Sequence, residues 1–203
     1  MTQDARLSFV LAINLAMIVA LVTVGLLAHS LGVLASGADY VGDAAGVALS
    51  LLALKLSRRT QRFSRATSLA ALANASFLLL ITLLVAAEAV DRLVVGSPEV
   101  HGLPVLIVSV VAVGAMALCA WILGSIKADE FHMRSVMLDT LADAAAAAGV
   151  AVSGAIILIA QGAYWLDSAV ALVIAIVVGY HAAKLIVEVL HDLRKEVPGG
   201  GWN

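Results

Sequence analysis

In 203 residues, 63% are apolar, 13% are charged and the mean hydropathy is +1.06, which excludes a soluble globular chain and points to an integral membrane protein. At about 20 apolar residues per helical crossing of a bilayer core roughly 30 Å thick, this length holds about six crossings with tight loops and no large soluble catalytic or regulatory domain. The formal charge of -2, with its basic residues scattered, offers no stripe for nucleic acid; the single cysteine, Cys119, excludes an internal disulfide and reads as a small core filler.

Apolar stretches at residues 7–28, 31–56, 69–90, 103–126, 136–160 and 168–190 predict an all-α protein of six transmembrane helices. The first follows Arg6 but exceeds the roughly 7–15 apolar residues of a signal-peptide core, and a second span comes at once, so it is expected to be retained. Residues 91–102 form a loop with turn residues Gly96, Pro98 and Gly102. Asp167, just ahead of the last span, reads as that helix's N-cap. Beyond residue 197, Pro198 and a glycine run cannot continue a helix. The expected organisation is a six-span domain over 1–193 and a short cytoplasmic tail over 194–203, with no further domain.

The basic residues fall on one set of helix ends. Arg6 comes first, then Lys55, Arg58, Arg59, Arg62 and Arg65, then Lys127 and Arg134, then Lys184, Arg194 and Lys195, against Arg92 alone on the other set. Positive flanks are retained in the cytoplasm, so both termini are expected there.

The chemistry is carried by aspartates inside spans: Asp39 and Asp43 in the second, Asp139 and Asp143 in the fifth. Each costs roughly 2.5–3.5 kcal/mol at a helix centre even on the lower insertion scales, so their presence calls for a cause. Four residues along a helix turn about 400°, which stacks each pair on one face, and two such faces opposed would offer four carboxylates to one ion. Four close carboxylates cannot all ionise without a cation, because desolvation and repulsion favour the protonated form, so an entering dication would displace protons. Interhelical hydrogen bonding is the structural alternative, although no lysine or arginine lies at matching depth. The two motifs lie 100 residues apart, and both continue into small residues, Asp43-Ala44-Ala45-Gly46-Val47 and Asp143-Ala144-Ala145-Ala146-Ala147. With three spans per half, that weak repeat has the inverted topology of many alternating-access transporters, and the small residues would let the two helices approach closely.

Several segments together carry a family resemblance. Ser30-Leu31-Gly32-Val33-Leu34-Ala35 leads to Asp39-x3-Asp43, Ser57-Arg58-Arg59 follows, Leu69-Ala70-Ala71-Leu72-Ala73-Asn74-Ala75 opens the third span, and Met133-Arg134-Ser135 leads to Asp139-x3-Asp143. The chain resembles the cation diffusion facilitators, six-span exporters of zinc, iron and manganese. The resemblance implies divalent metal/proton antiport in a multi-pass protein of the bacterial inner membrane, with metal as substrate rather than cofactor. It implies Asp39, Asp43, Asp139 and Asp143 as metal ligands, and a homodimer. Family members usually carry a cytoplasmic metal-binding domain after the sixth span, which this chain is expected to lack. Zinc-selective members commonly have histidine at the positions of Asp39 and Asp139, so the all-aspartate set resembles the manganese pattern; hard oxygen donors suit Mn²⁺, with Zn²⁺, Cd²⁺, Fe²⁺ or Co²⁺ also accepted.

Other polar residues are weaker candidates. Asn74 and Asn14 are candidates for a coordination shell or pathway, or for ordinary interhelical glue, and His29 for a proton relay at the outer mouth. His101 and His132 read as loop residues, and His181, Lys184, Glu188, His191 and Asp192 as a solvated inner helix end. Glu88 and Asp91 would attract cations at the exit or simply mark the interface. Against an enzyme, here a membrane phosphotransferase using aspartate-held metal, no arginine follows Asp43 until Arg58, so phosphate has no nearby basic partner. A transport-silent partner of a longer relative is a further alternative, opposed by the intact carboxylate set.

Overall fold

The structure, a computed structural model, describes residues 3–56, 62–124 and 130–195. Within the helices the side chains of residues 3, 4, 50, 53–56, 62–67, 123, 124, 130–142, 192, 194 and 195 lie outside the described residues. The described residues form six helices and no strand: α1 (Gln3–Leu27), α2 (Leu31–Leu56), α3 (Arg62–Val95), α4 (Gly102–Gly124), α5 (Glu130–Ala160) and α6 (Trp165–Lys195). Five contain stretches long and apolar enough to cross a bilayer, namely Ala5–Leu27, Ser68–Val95, Gly102–Ile122, Asp143–Ala160 and Trp165–His191. The fold is thus the expected all-α, multi-pass one.

Several boundaries differ from the apolar stretches for one reason. A helix closes its backbone hydrogen bonds whatever its side chains, so it runs on past the apolar slab that hydropathy detects. α3 starts at Arg62 rather than residue 69 and continues through Asp91 and Arg92 to Val95, so the expected loop shrinks at its start. Gly96 ends the helix at φ +126°, its N–H donating to the Arg92 carbonyl at 3.1 Å. α6 likewise extends to Lys195.

Among the described residues α2 has no stretch that meets that length and apolarity, and it packs against each of the other five helices. Every residue from 30 to 40 is buried or half-buried. Enclosure by protein rather than lipid explains how this helix tolerates Gly32, Ser36, Gly37 and Asp39 in one run. The widest contacts elsewhere are α3 with α6 and α4 with α5. The α4–α5 crossing depends on glycine: a Cβ on Gly154 would stand 2.9 Å from the Leu106 nitrogen, and one on Gly102 would stand 2.6 Å from the Gly154 carbonyl oxygen. Backbone meets backbone there, as small residues allow between membrane helices. The close approach expected at Ala44–Val47 and its counterpart is thus found strongly at another helix pair. Large apolar side chains such as Leu26, Leu83, Val111 and Ile176 point outward from the bundle, as a lipid-facing surface requires.

α1 turns into α2 through a tight cap. Ser30 N–H donates to the Gly25 carbonyl at 3.0 Å and His29 N–H to Leu26 at 3.4 Å, with His29 at φ 56°, which is the Schellman pattern with histidine at the left-handed position. Ser30 is then the N-cap of α2, its Oγ accepting from Val33 N–H at 3.1 Å.

Asp167 departs from the expectation. It lies inside the first turn of α6 and caps α2 instead of its own helix. Its carboxylate accepts from Ser30 Oγ at 2.5 Å, from Leu31 N–H at 2.6 Å and from Gly32 N–H at 3.3 Å, and its side chain is fully buried. The positive end of the α2 dipole and its unpaired N–H groups take the place of water around the charge. Gly32 leaves room for it, since a Cβ there would stand 3.0 Å from Asp167 Oδ1.

Removing this cap orphans buried donors on α2, so Asp167→Ala should lose on the order of 3 kcal/mol of stability. Thermal unfolding in detergent measures it; a midpoint equal to wild type would show that the cap carries no weight.

Candidate functional site

Asp39 and Asp43 project one turn apart from α2, half-buried and exposed respectively, and Asp143 of α5 is half-buried. They meet at a cavity of about 210 Å³ whose wall also includes Asn74 of α3 and His181 of α6. Gly42, Ala75, Leu78 and Val178 complete much of its lining. Gly42 brings α2 near α3 here, a Cβ on it standing 3.2 Å from Leu78 Cδ2.

Asp39 and Asp143 also border a second cavity of about 520 Å³ between α5 and α6, otherwise apolar, with Ala145, Gly149, Val173, Ile174 and Val177 among its walls. These two carboxylates therefore stand where a polar cavity and an apolar one adjoin. Asp39 is close enough to both Asp43 and Asp143 for the charges to interact. No three His, Cys, Asp or Glu side chains among the described residues converge tightly enough to enclose an ion, so these carboxylates line a wall rather than close on a point. Asp139 lies on α5 one turn before Asp143, and its side chain is outside the described residues.

Tyr40, beside Asp39, holds this part of α2 in place. It is buried, and its hydroxyl donates to the Ala112 carbonyl of α4 at 2.7 Å. The hydrogen bond fixes the rotation of α2 and hence the direction in which its neighbour Asp39 projects.

The remaining candidates divide. Asn74 reaches the cavity wall. Asn14 is buried on α1 against α4, where Cys119 Sγ donates to its Oδ1 at 3.9 Å, and it is not part of that wall. His29 is exposed at the α1–α2 turn with its ring centroid 6.1 Å from that of His101. Its carbonyl accepts from Arg92 Nη1 at 2.8 Å, and Arg92 also pairs with Glu88 at 2.8 Å, so this acid near the C-terminal end of α3 is bound to a cation already on the protein. His132 lies in the part of α5 whose side chains are outside the described residues.

His181 also lines this cavity, although the sequence reading did not single it out as a ligand. Read as part of a solvated inner helix end, it is exposed and lies within the span Trp165–His191, on the wall of this cavity. Its signal was positional: with Val178, Ala182 and Leu185 it forms an i, i+3, i+4 stripe, and that stripe faces the carboxylates.

Comparison with known proteins places this geometry. Residues 7–194 match the cation efflux transmembrane domain. The zinc transporter ZitB of Yersinia pseudotuberculosis is 31% identical, the match covering 97% of this chain and 65% of that protein. A cadmium, cobalt and zinc/H⁺-K⁺ antiporter of Bacillus velezensis is 30% identical over 86% of this chain and 58% of its own length, and the metal cation efflux system protein CzcD of Cupriavidus metallidurans is 26% identical over 97% and 63%. The chain thus spans under two thirds of the length of these relatives. The manganese preference expected from the all-aspartate set has no counterpart in their names.

Proposed function

The chain belongs to the cation efflux family, and we propose that it exports a divalent transition-metal cation in exchange for protons by alternating access, with Asp39, Asp43, Asp139 and Asp143 as the cation's ligands. The observation that carries this reading is the shared cavity: Asp39 and Asp43 from one helix and Asp143 from another line the same polar wall, with Asn74 beside them. Like charges gathered in a membrane domain have no stable role without protons or a cation to neutralise them. A dication displaces the protons and returning protons displace the dication, which is the elementary step of an antiporter.

Zn²⁺, Cd²⁺ and Co²⁺ are the first cargoes to consider, since relatives are named for them. Oxygen donors keep Mn²⁺ and Fe²⁺ as further possibilities. Asp39, Asp43 and Asp143 line a cavity wall, which suits a ligand set that tightens around an ion in transit. Family membership counts against the phosphotransferase alternative, and a transport-silent partner is separated from a transporter by flux.

In proteoliposomes holding this chain, Zn²⁺ or Cd²⁺ flux should be accompanied by protons moving the other way and should respond to an imposed pH gradient. Asp143→Asn and Asp43→Asn should each lower flux by at least tenfold while the protein still folds. Variants that transport normally would remove the ligand assignment; flux indifferent to the gradient, with no proton counter-flow, would indicate a uniporter or channel.

The six-span unit over 1–193 is proposed to sit in the bacterial inner membrane with both termini inside, from the basic-residue asymmetry. A cysteine introduced at Glu99 should react with an impermeant reagent from outside, and one at Gln61 only after permeabilisation; the reverse pattern would invert the topology.

We also propose a homodimer, on the strength of the family resemblance and the lipid-like outer faces. Association there must come from close packing, because lipid covers apolar surface as well as protein does. Crosslinking in native membranes should yield a dimer band, and monomers alone at saturating reagent would refute it.

A further inference from the structure

The four assigned carboxylates offer only oxygen donors, yet relatives with this transmembrane domain are named for zinc, cadmium and cobalt. Borderline and soft cations of that kind favour nitrogen and sulfur donors over an all-oxygen set. A nitrogen donor is present on the same cavity wall: His181, on the α6 stripe facing Asp39, Asp43 and Asp143. Among the described residues, no other histidine and no cysteine lines that cavity.

Three features set His181 apart from a histidine at a wetted helix end. It lies within an apolar span and 14 residues before Lys195, the last residue of α6, or about 21 Å at 1.5 Å per residue. Its ring makes no hydrogen bond or ion pair among the described residues, its one ring contact being the adjacent Tyr180, with centroids 5.8 Å apart. The charged residues next along the helix are already paired with each other, Lys184 with Glu188 at 3.9 Å. The imidazole is thus exposed, uncommitted and turned to the same space as three carboxylates and Asn74.

We propose that His181 is a specificity-determining residue of the transport pathway, whose imidazole nitrogen binds the cation in the cavity beside Asp39, Asp43 and Asp143 and favours Zn²⁺, Cd²⁺ and Co²⁺ over Mn²⁺. The proposal rests on the carboxylate site proposed above and adds the donor that the site lacks. The carboxylates supply charge to neutralise any dication, and the imidazole supplies discrimination among them. His181 and Asp43 are exposed, whereas Asp39 and Asp143 are half-buried.

The test compares Zn²⁺, Cd²⁺ and Mn²⁺ flux in proteoliposomes for wild type, His181→Ala, His181→Gln, His181→Cys and Asp143→Asn. His181→Ala and His181→Gln should lower the Zn²⁺/Mn²⁺ ratio of kcat/KM about tenfold, mainly by raising KM for Zn²⁺, with Mn²⁺ flux retained. His181→Cys, which restores a soft donor, should recover Cd²⁺ flux. A ratio unchanged in both Ala and Gln variants would overturn the assignment. Equal loss of all three metals, with no recovery of Cd²⁺ by cysteine, would make the residue structural and overturn it too. Failure of the underlying site has a different signature: wild type that moves no metal, or Asp143→Asn protein that moves every metal normally.

Discussion

A buried carboxylate at the N-terminus of α2 is the constraint on which the site depends. Asp167 reaches from α6 to Ser30 Oγ and to the Leu31 and Gly32 N–H groups, joining the start of one functional helix to the start of another. Charge in a membrane domain is tolerated only where fixed donors replace water, and the first turn of a helix is such a place. Because both helices are pinned at this end, their positions farther along are set together. Asp39 lies about 12 Å down α2 from Leu31 at 1.5 Å per residue, and Val178 and His181 follow down α6, so the clamp determines which residues of the two helices face each other across the cavity.

The same side chain therefore plays two parts in one small protein. Asp167 is surrounded by donors and has no acid among its hydrogen-bond partners, an arrangement that is structural and complete. Asp39 has the carboxylates of Asp43 and Asp143 as charged neighbours, an arrangement that favours a proton or a cation among them. Hydrogen-bond geometry, and not residue type, separates the two roles.

The position of α2 makes the second arrangement affordable. Lipid would penalise a helix bearing glycines, serines and paired aspartates, whereas five protein neighbours do not, and the Tyr40 bond to Ala112 and the glycine-mediated approach to α3 hold it among them. The outward-facing residues of α1, α3, α4 and α6 take over the contact with lipid, leaving polar chemistry to the centre. A polar cavity and an apolar one adjoining at Asp39 and Asp143 follow from the same division.

Hydropathy and helical period are properties of neighbouring residues, so six helices, their order and the placing of Asp39 and Asp43 one turn apart were legible along the chain. The helix ends at Arg62, Val95 and Lys195 were less legible, since a backbone hydrogen-bond ladder continues beyond the apolar slab. What only the tertiary structure decided involves partners far apart in the chain. Asp167 finds Ser30 137 residues away and caps a helix other than its own. Asn14 turns to Cys119 and Asn74 to the cavity, two asparagines that no local pattern distinguishes. His181 belongs with the carboxylates because of how α6 lies against α2 and α3. A local pattern specifies which face a side chain occupies; packing of whole helices, settled by capping, glycine contacts and burial together, determines what that face meets.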